Sequence, residues 1–351
     1  MATEERSTFL RACRGLPVAR TPIWIMRQAG RYLPAYRALR ERASFLDLCH
    51  DPDLVAEATR MPIDTYDLDA AILFSDLTIP LEAMGLGLEF NPAPVLARPV
   101  RDEAAVTALP VPDPAVASPF LAESVTRTLK ALRERVPLIG FAGAPFTLAC
   151  YAVEGAGSRS WARVKQLAWQ QPAAYATLLA KLAETSARYL EAQIAAGCQA
   201  VQLFDSWAGI LSREDYAALA LPWVSQVVQR LQEQKVPVIY FAPDAAAFLD
   251  LLEPLPVAVL GVDWRLPLDL AAAQLPRHSL QGNLDPALLF APEEVLRERA
   301  RAVCAQGKAA RGHIFNLGHG ILPETPPASV EILVDEVHRH VPATPLAEGD
   351  R

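Results

Sequence analysis

The sequence predicts an α/β fold, a single (β/α)8 barrel of the TIM type, and three observations point to it. Eight short apolar runs rich in Val, Ile, Leu and Phe are spaced along the chain without polar alternation. Strands buried on both faces of a parallel sheet read this way. Helix starts fall between the runs: Asp51-Pro52, Gln171-Pro172 and Ala291-Pro292 suit proline at a first helical position, and Ser212-x-x-Asp215 precedes an apolar run. The 351 residues are also 52% hydrophobic and 21% charged, enough to bury a large core and too apolar for a disordered chain.

In order, the predicted strands are Pro22 to Met26, Ala70 to Ser75, Pro137 to Ala142, Ala200 to Asp205, Pro237 to Phe241, Val257 to Val262, His278 to Gly282 and His313 to Leu317. A helical extension precedes the first, and a helical segment follows each strand but the last. The intervals after the second and third strands are long enough for insertions. One includes Leu88 to Val100, whose apolar ends flank Asn91-Pro92-Ala93-Pro94 and suit a hairpin. The fifth and sixth units span only 20 and 21 residues from strand start to strand start, leaving room for two or three helical turns. No shift in composition marks a boundary, so residues 1–341 are expected to form one domain, with residues 342–351 a frayed tail.

Charge and cysteine usage narrow the function. With 33 basic and 40 acidic side chains the net charge is −7, a field that repels phosphate and argues against nucleic acid as a partner. An anionic ligand would need a locally basic cleft. Met1 to Cys13 carries Glu4, Glu5 and Arg6 where a signal peptide needs an apolar stretch, and no segment holds about 18 uninterrupted apolar residues, so a cytoplasmic protein without membrane contact is expected. Cys13, Cys49, Cys150, Cys198 and Cys304 form no C-x-x-C pair, and no H-x-x-x-H run occurs. Neither a disulfide framework nor a metal site is encoded locally.

A barrel presents its reactive groups at the carboxyl ends of its strands. There the chain places Arg27-Gln28-Ala29-Gly30-Arg31-Tyr32, Asp76, Gly143-Ala144-Pro145 with Tyr151 beyond, Ser206-Trp207, Pro243-Asp244, Asp263-Trp264, Asn283-Leu284-Asp285 and Gly318-His319-Gly320. Arg27 and Arg31, four apart, would share one face of a helical turn and clamp carboxylates as bidentate donors; two solvated loop arginines fit the spacing equally well. Asp76 could cap the next segment or stand as an ionised acceptor at the barrel mouth. Tyr151 suits half-buried packing with a satisfied hydroxyl. His319 could be a turn residue, or its flanking glycines could leave the imidazole open to a ligand. The glycine-rich Glu154-Gly155-Ala156-Gly157-Ser158 follows a helix and reads as a turn rather than a dinucleotide site.

These residues resemble one family. Pro22-Ile23-Trp24-Ile25-Met26-Arg27-Gln28-Ala29-Gly30-Arg31-Tyr32-Leu33-Pro34 resembles the N-terminal signature of the uroporphyrinogen decarboxylases, and Gly140-Phe141-Ala142-Gly143-Ala144-Pro145-Phe146-Thr147-Leu148 resembles their second signature. Phe74-Ser75-Asp76, Leu203-Phe204-Asp205-Ser206-Trp207, Gln281-Gly282-Asn283-Leu284-Asp285-Pro286 and Asn316-Leu317-Gly318-His319-Gly320 are similar to further blocks in the same order. The likeness runs from about Thr8 to Val341. It implies a homodimeric barrel that removes carbon dioxide from the four acetates of uroporphyrinogen III, giving coproporphyrinogen III without metal or organic cofactor. It also implies that Arg27, Gln28 and Arg31 hold substrate carboxylates and that Asp76 faces the pyrrole nitrogens, with Asp76 and Arg27 the catalytic pair. Tyr151, Ser206 and His319 would complete the polar contacts, and Ile72, Phe141 and Phe204 would line the pocket. One departure is visible: where the family commonly carries a lysine and a glycine, this chain reads Phe241-Ala242-Pro243-Asp244-Ala245-Ala246.

Two other readings compete. Related barrels that bind zinc through His and Cys to activate a thiol are methyltransferases, but this chain lacks a His-x-Cys element. A binding barrel that has lost catalysis would lack the carboxylate or an arginine, and neither is missing. Under the decarboxylase reading Asp76 is expected ionised at pH 7, with burial beside Phe74 raising its pKa and arginines and N–H donors lowering it.

Overall fold

The computed structural model describes residues 7–340. Its strands are β1 (Ala71–Ile72), β2 (Leu88–Phe90), β3 (Pro94–Leu96), β4 (Leu138–Gly143), β5 (Ala200–Phe204), β6 (Val238–Phe241), β7 (Val259–Gly261), β8 (Ser279–Leu284) and β9 (His313–Leu317). Seven of them form one curled parallel sheet in the order β1-β4-β5-β6-β7-β8-β9, so every predicted run from the second onward supplies a strand. β2 and β3 pair antiparallel, Leu88 opposite Leu96, as the hairpin expected from Leu88 to Val100. The predicted tail, residues 342–351, lies outside the described residues.

The first predicted run differs. Pro22 to Met26 forms no strand; it makes a single parallel bridge, Ile23 to Phe315. Three of its four N–H groups are met by side chains. The Ile23 N–H donates to Asp69 Oδ2 (2.8 Å), the Ile25 N–H to Gln28 Oε1 (3.1 Å) and the Met26 N–H to Asn316 Oδ1 (3.0 Å). The remaining amide and the carbonyls make main-chain bonds, among them Phe315 N–H to the Pro22 carbonyl (2.8 Å), Trp24 N–H to the Phe315 carbonyl (3.3 Å) and Asp69 N–H to the Ile23 carbonyl (2.8 Å). A buried amide must find an acceptor. Where side chains supply it, the regular ladder is interrupted.

Helix starts follow the local chemistry. The Asp51 carboxylate accepts from the N–H groups of Asp53 and Leu54 before a helix with Pro52 at its first position, and Ser212 Oγ accepts from Asp215 N–H. Pro172–Ala196 runs 25 residues and stops at Gly197, whose φ of 119° is open to glycine. Pro292 sits one place earlier than predicted, as the cap of the helix Glu293–Gly307. The tight fifth unit holds only the 3-10 turns Ala245–Ala247 and Leu249–Leu252 between β6 and β7, and the sixth a 7-residue helix, Leu268–Gln274.

Two apolar layers hold the sheet. On its concave side Trp24, Met26, Ala70, Ile139, Ala200, Ile239, Phe241, Val259 and Ile314 pack together, and Phe9, Leu10, Ala12 and Cys13 of the N-terminal helix Thr8–Cys13 close the cluster. Ser279 Oγ ties that helix down by donating to the Ala12 carbonyl (2.8 Å). Within this interior Trp24 Nε1 donates to Gln281 Oε1 (2.8 Å), and Gln281 Nε2 to Gln202 Oε1 (3.1 Å). The second layer lies between the convex face and the helices. All five cysteines are buried and free.

Asp69 is the joint on which the Ile23 segment hangs. Besides the Ile23 N–H it accepts from Arg20 (2.9 Å) and His338 (2.8 Å), so one carboxylate ties the first segment to the last helix. Asp69→Ala leaves three donors without their acceptor. The expected loss is about 2–4 kcal/mol, below that of a fully buried pair because Arg20 is 35% exposed. Urea unfolding followed by circular dichroism, with an unchanged m value, checks it.

Candidate active site

The turn after Ile23 decides where the first arginine stands. Gln28 N–H bonds back to the Ile25 carbonyl (2.9 Å), the Met26 carbonyl accepts from Ile321 N–H (3.0 Å), and Arg27 adopts a φ of 63°. A non-glycine residue is rare in that left-handed region, and such residues cluster at functional sites. The Arg27 stem then runs over Gly320: a Cβ on that glycine would lie 2.5 Å from Arg27 Cδ. The glycines around His319 therefore have a specific use. Gly320 makes room for an arginine, and Gly318 for the backbone of Trp264, whose nitrogen would lie 2.4 Å from an added Cβ.

This turn overrules the expectation of a shared helical face for Arg27 and Arg31, because no helix begins until Pro34. Arg31 is exposed, its carbonyl accepts from the Arg37 guanidinium (2.8 Å), and its charge is felt at Tyr36. Gln28 is buried, with Oε1 on Ile25 N–H and Nε2 on the Ala70 carbonyl (3.2 Å). Its amide shapes the turn.

Asp76 follows β1 by four residues and is half-buried. Its Oδ1 accepts from both Thr78 N–H (2.9 Å) and Thr78 Oγ1 (2.6 Å). Burial lifts its pKa above the ordinary aspartate value, opposed by the Thr78 bonds and by the Arg27 charge. Tyr151, on the helix Pro145–Glu154, stands edge-on to Trp161 (5.3 Å) and Trp207 (6.2 Å). Burial pushes its phenol up to about 12, and the charges of Asp76 and Arg27 act on it in opposite senses. Asp76, Arg27 and Tyr151 thus form one electrostatic group.

Ser206 and His319 line a cleft of about 350 Å³ with Trp207, Gly209, Ile210, Pro243, Asp244, Trp264 and Arg265. A second, water-sized cavity lies elsewhere, between Ala12 and His313. Burial lowers the His319 pKa, and the Arg27 and Arg265 cations lower it further against Asp244 and Asp263. At pH 7 it is a neutral donor and acceptor. Phe141 and Phe204 meet edge to face (5.6 Å), and Ile72 and Phe204 adjoin the interior cluster, so the three apolar candidates share the concave side with Phe241. Among the described residues no group of three or more His, Cys, Asp or Glu side chains is placed to hold a metal ion. None of the helices there is long and apolar enough to cross a membrane.

Three residues of this region escaped the sequence reading. Trp207, to which the sequence assigns no role, packs on Trp161 at 4.5 Å and edge-on to Tyr151. Arg265 directly follows the strand-end pair Asp263-Trp264 and lines the cleft. Asp205, next to Ser206, is fully buried and accepts from Thr147 Oγ1 (2.7 Å) and Tyr240 OH (2.9 Å), while Thr147 Oγ1 accepts from Trp207 N–H (3.2 Å). A strand-end carboxylate two residues from an aromatic was the available signal.

The uroporphyrinogen decarboxylase family model matches residues 4–340. The uroporphyrinogen decarboxylase of Syntrophotalea carbinolica is 50% identical over 332 residues, covering 94% of this chain and 97% of that protein. That of Trichlorobacter lovleyi is 48% identical, covering 94% and 98%. Among solved structures, a methyltransferase from Methanosarcina mazei superposes with a TM-score of 0.80 at 19% identity, covering 95% of this chain and 97% of its own, a likeness of fold.

Burial raises the Asp205 carboxyl to about 6 despite its hydroxyl donors. A carboxyl raised in the folded state gives stability that is complete below its unfolded pKa near 4 and is lost as pH climbs through the folded value. The stability difference between the parent and Asp205→Asn should therefore shift in favour of Asn between about pH 4 and pH 7. Paired urea titrations across that window check it; a pH-independent difference would mean that Asp205 titrates normally.

Proposed function

The chain belongs to the uroporphyrinogen decarboxylase family, and on that premise we propose that it converts uroporphyrinogen III to coproporphyrinogen III by removing four acetate carboxyls, using no metal or organic cofactor. It is a carboxy-lyase of tetrapyrrole biosynthesis. The observation that carries the mechanism is the division of labour on Asp76. Thr78 holds Oδ1, while Oδ2 takes no hydrogen bond from the protein among the described residues.

Direct loss of carbon dioxide from a pyrrole acetate would leave a poorly stabilised carbanion. The ring must first accept a proton at carbon. The carbon–carboxylate bond can then break, its electrons neutralising the iminium-like ring as carbon dioxide leaves. A second proton converts the exocyclic carbon to a methyl, and the ring returns the first, so each cycle consumes one proton. Asp76 suits the cationic stage: its free oxygen accepts pyrrole N–H groups and its charge offsets the ring's. Because Thr78 has already fixed the carboxylate, little reorganisation is needed at that moment. Arg27 addresses the reacting carboxylate or a sibling, either as the proton donor itself or through an oriented water; an arginine surrenders a proton reluctantly. Neutral His319 and Ser206 suit propionates deeper in the cleft, Tyr151 borders the carboxylate, Arg31 attracts the acidic substrate at the rim, and Gln28 acts by shaping the Arg27 turn.

The finer fold reading accompanies this. The Ile23 segment, bonded to Phe315 on one side and Asp69 on the other, serves as the eighth stave of a closed (β/α)8 barrel with insertions after the second and third strands. The larger core cluster draws on residues from Ile23 to Val337, in support of one domain over residues 1–341. We propose a homodimer working in the cytoplasm.

Anaerobic incubation with uroporphyrinogen III should give stepwise loss of carboxyls ending at the tetracarboxylic product; unchanged substrate would overturn the reading. Asp76→Asn keeps shape and loses charge, and kcat should fall roughly 10²-fold or more. Retention of rate to within about a factor of ten would remove the cation-stabilising role. In the parent, activity that needs the Asp76 anion should decline as pH falls through a value above the ordinary aspartate range. Arg27→Lys replaces a planar fork by a point charge, with an expected loss of about 10- to 100-fold in kcat/KM; near-parental kinetics would show that charge alone suffices there.

A further inference from the structure

A cation that no step above uses stands on the cleft. Arg265 lines it together with Ser206, Trp207, Trp264 and His319. Its backbone N–H donates to Asp263 Oδ1 (2.8 Å), and its guanidinium lies over the Trp264 ring at 4.1 Å. The head group pairs through Nη1 with Asp244 Oδ1 at 2.9 Å and Asp263 Oδ1 at 3.4 Å. Nε and Nη2 take no protein acceptor among the described residues, which leaves one side of the fork free. The loops on both sides are fixed: Gly318 presses on Trp264, and a Cβ on Gly209 would lie 2.3 Å from Asp244 Cβ.

We infer that Arg265 is a second carboxylate clamp, paired with Asp244 in this structure and transferred to a propionate carboxylate of the bound tetrapyrrole. The inference rests on the decarboxylase reading and names a specificity residue for it. Both Arg265 and Asp244 are 47% exposed, and a half-exposed pair is worth little, so the exchange of partners costs little. Asp263 is different. At 6% exposure, its oxygens already accept the backbone N–H groups of Asp244 and Arg265, so it anchors the loop instead of competing for the head group. Stacking on Trp264 keeps the guanidinium planar and preorganised for a bidentate partner. Arg27, across His319, supplies the other cation, so a polyacidic macrocycle would be gripped from two sides. A rival explanation is that Arg265 only neutralises Asp244 and Asp263.

Steady-state kinetics on uroporphyrinogen III separate the two for the parent, Arg265→Gln, Asp244→Asn and the double variant. Asn fits at residue 244, whose φ of 59° it tolerates. Arg265→Gln should raise KM roughly tenfold with kcat within about threefold, and Asp244→Asn should lower KM about two- to threefold by freeing the arginine. The double variant should keep the high KM of Arg265→Gln. Recovery of the parental KM in the double variant would make Arg265 a charge balancer, and a KM within about twofold of the parent in Arg265→Gln would remove it from binding; either overturns the inference. Should Arg265→Gln fail to match the parent's thermal unfolding, Arg265→Lys serves instead: a KM between those limits supports the clamp, and a parental KM overturns it. A parent that leaves uroporphyrinogen untouched defeats the functional reading itself, which these variants do not address.

Discussion

Residues Ile23 to Met26 are buried, their amides are not all met by a neighbouring strand, and the rest of the site depends on how they are met. Asp69, Gln28 and Asn316 lend side-chain acceptors to three of them. The chain leaves that arrangement in a turn whose left-handed residue is Arg27. An arginine emerging from a regular strand would be free to choose its direction; here backbone geometry and the space above Gly320 choose it. The same bonds join the first segment to β9 and to the start of β1, so one set of hydrogen bonds serves both architecture and aim.

Charge is handled by locality. In a chain of net charge −7, Arg27 and Arg265 both act on one neutral imidazole, His319, while the anions of the region are tied down. Asp76 is held by Thr78, Asp205 by Thr147 and Tyr240, and Asp263 by backbone amides. Anchored carboxylates can be oriented toward developing positive charge without collapsing onto the arginines nearby. Burial raises both Asp76 and Asp205, so desolvation outweighs the donors at each.

Much of this was legible in the residues. Fully buried parallel strands announce themselves as unbroken apolar runs, and β9 begins and ends where its run does. Asp76, Ser206 and His319 lie just beyond β1, β5 and β9, where the strand-end rule puts them, because their positions follow from topology. The first run misled because Pro22 to Met26 is as apolar as a strand; only the partners Asp69 and Asn316, far away in sequence, reveal that side chains take its amides. The paired-arginine reading failed for a related reason, since i,i+4 spacing carries meaning only if the intervening backbone is helical. Arg265 went unnoticed because a single arginine after a strand looks like any other surface charge until the loops beside it are seen to enclose a cleft.

The burial of every thiol has a practical side. Cys13 sits in the helix that closes the interior, Cys49 and Cys150 lie on the helices Phe45–His50 and Pro145–Glu154, Cys198 comes just before β5, and Cys304 lies on the helix Glu293–Gly307. Burial raises the pKa of each, so none offers a ready thiolate to a reagent in the folded protein. Alkylation can then proceed only through transient openings, which makes the native cysteines five built-in clocks for the breathing of separate regions, without the introduction of a label.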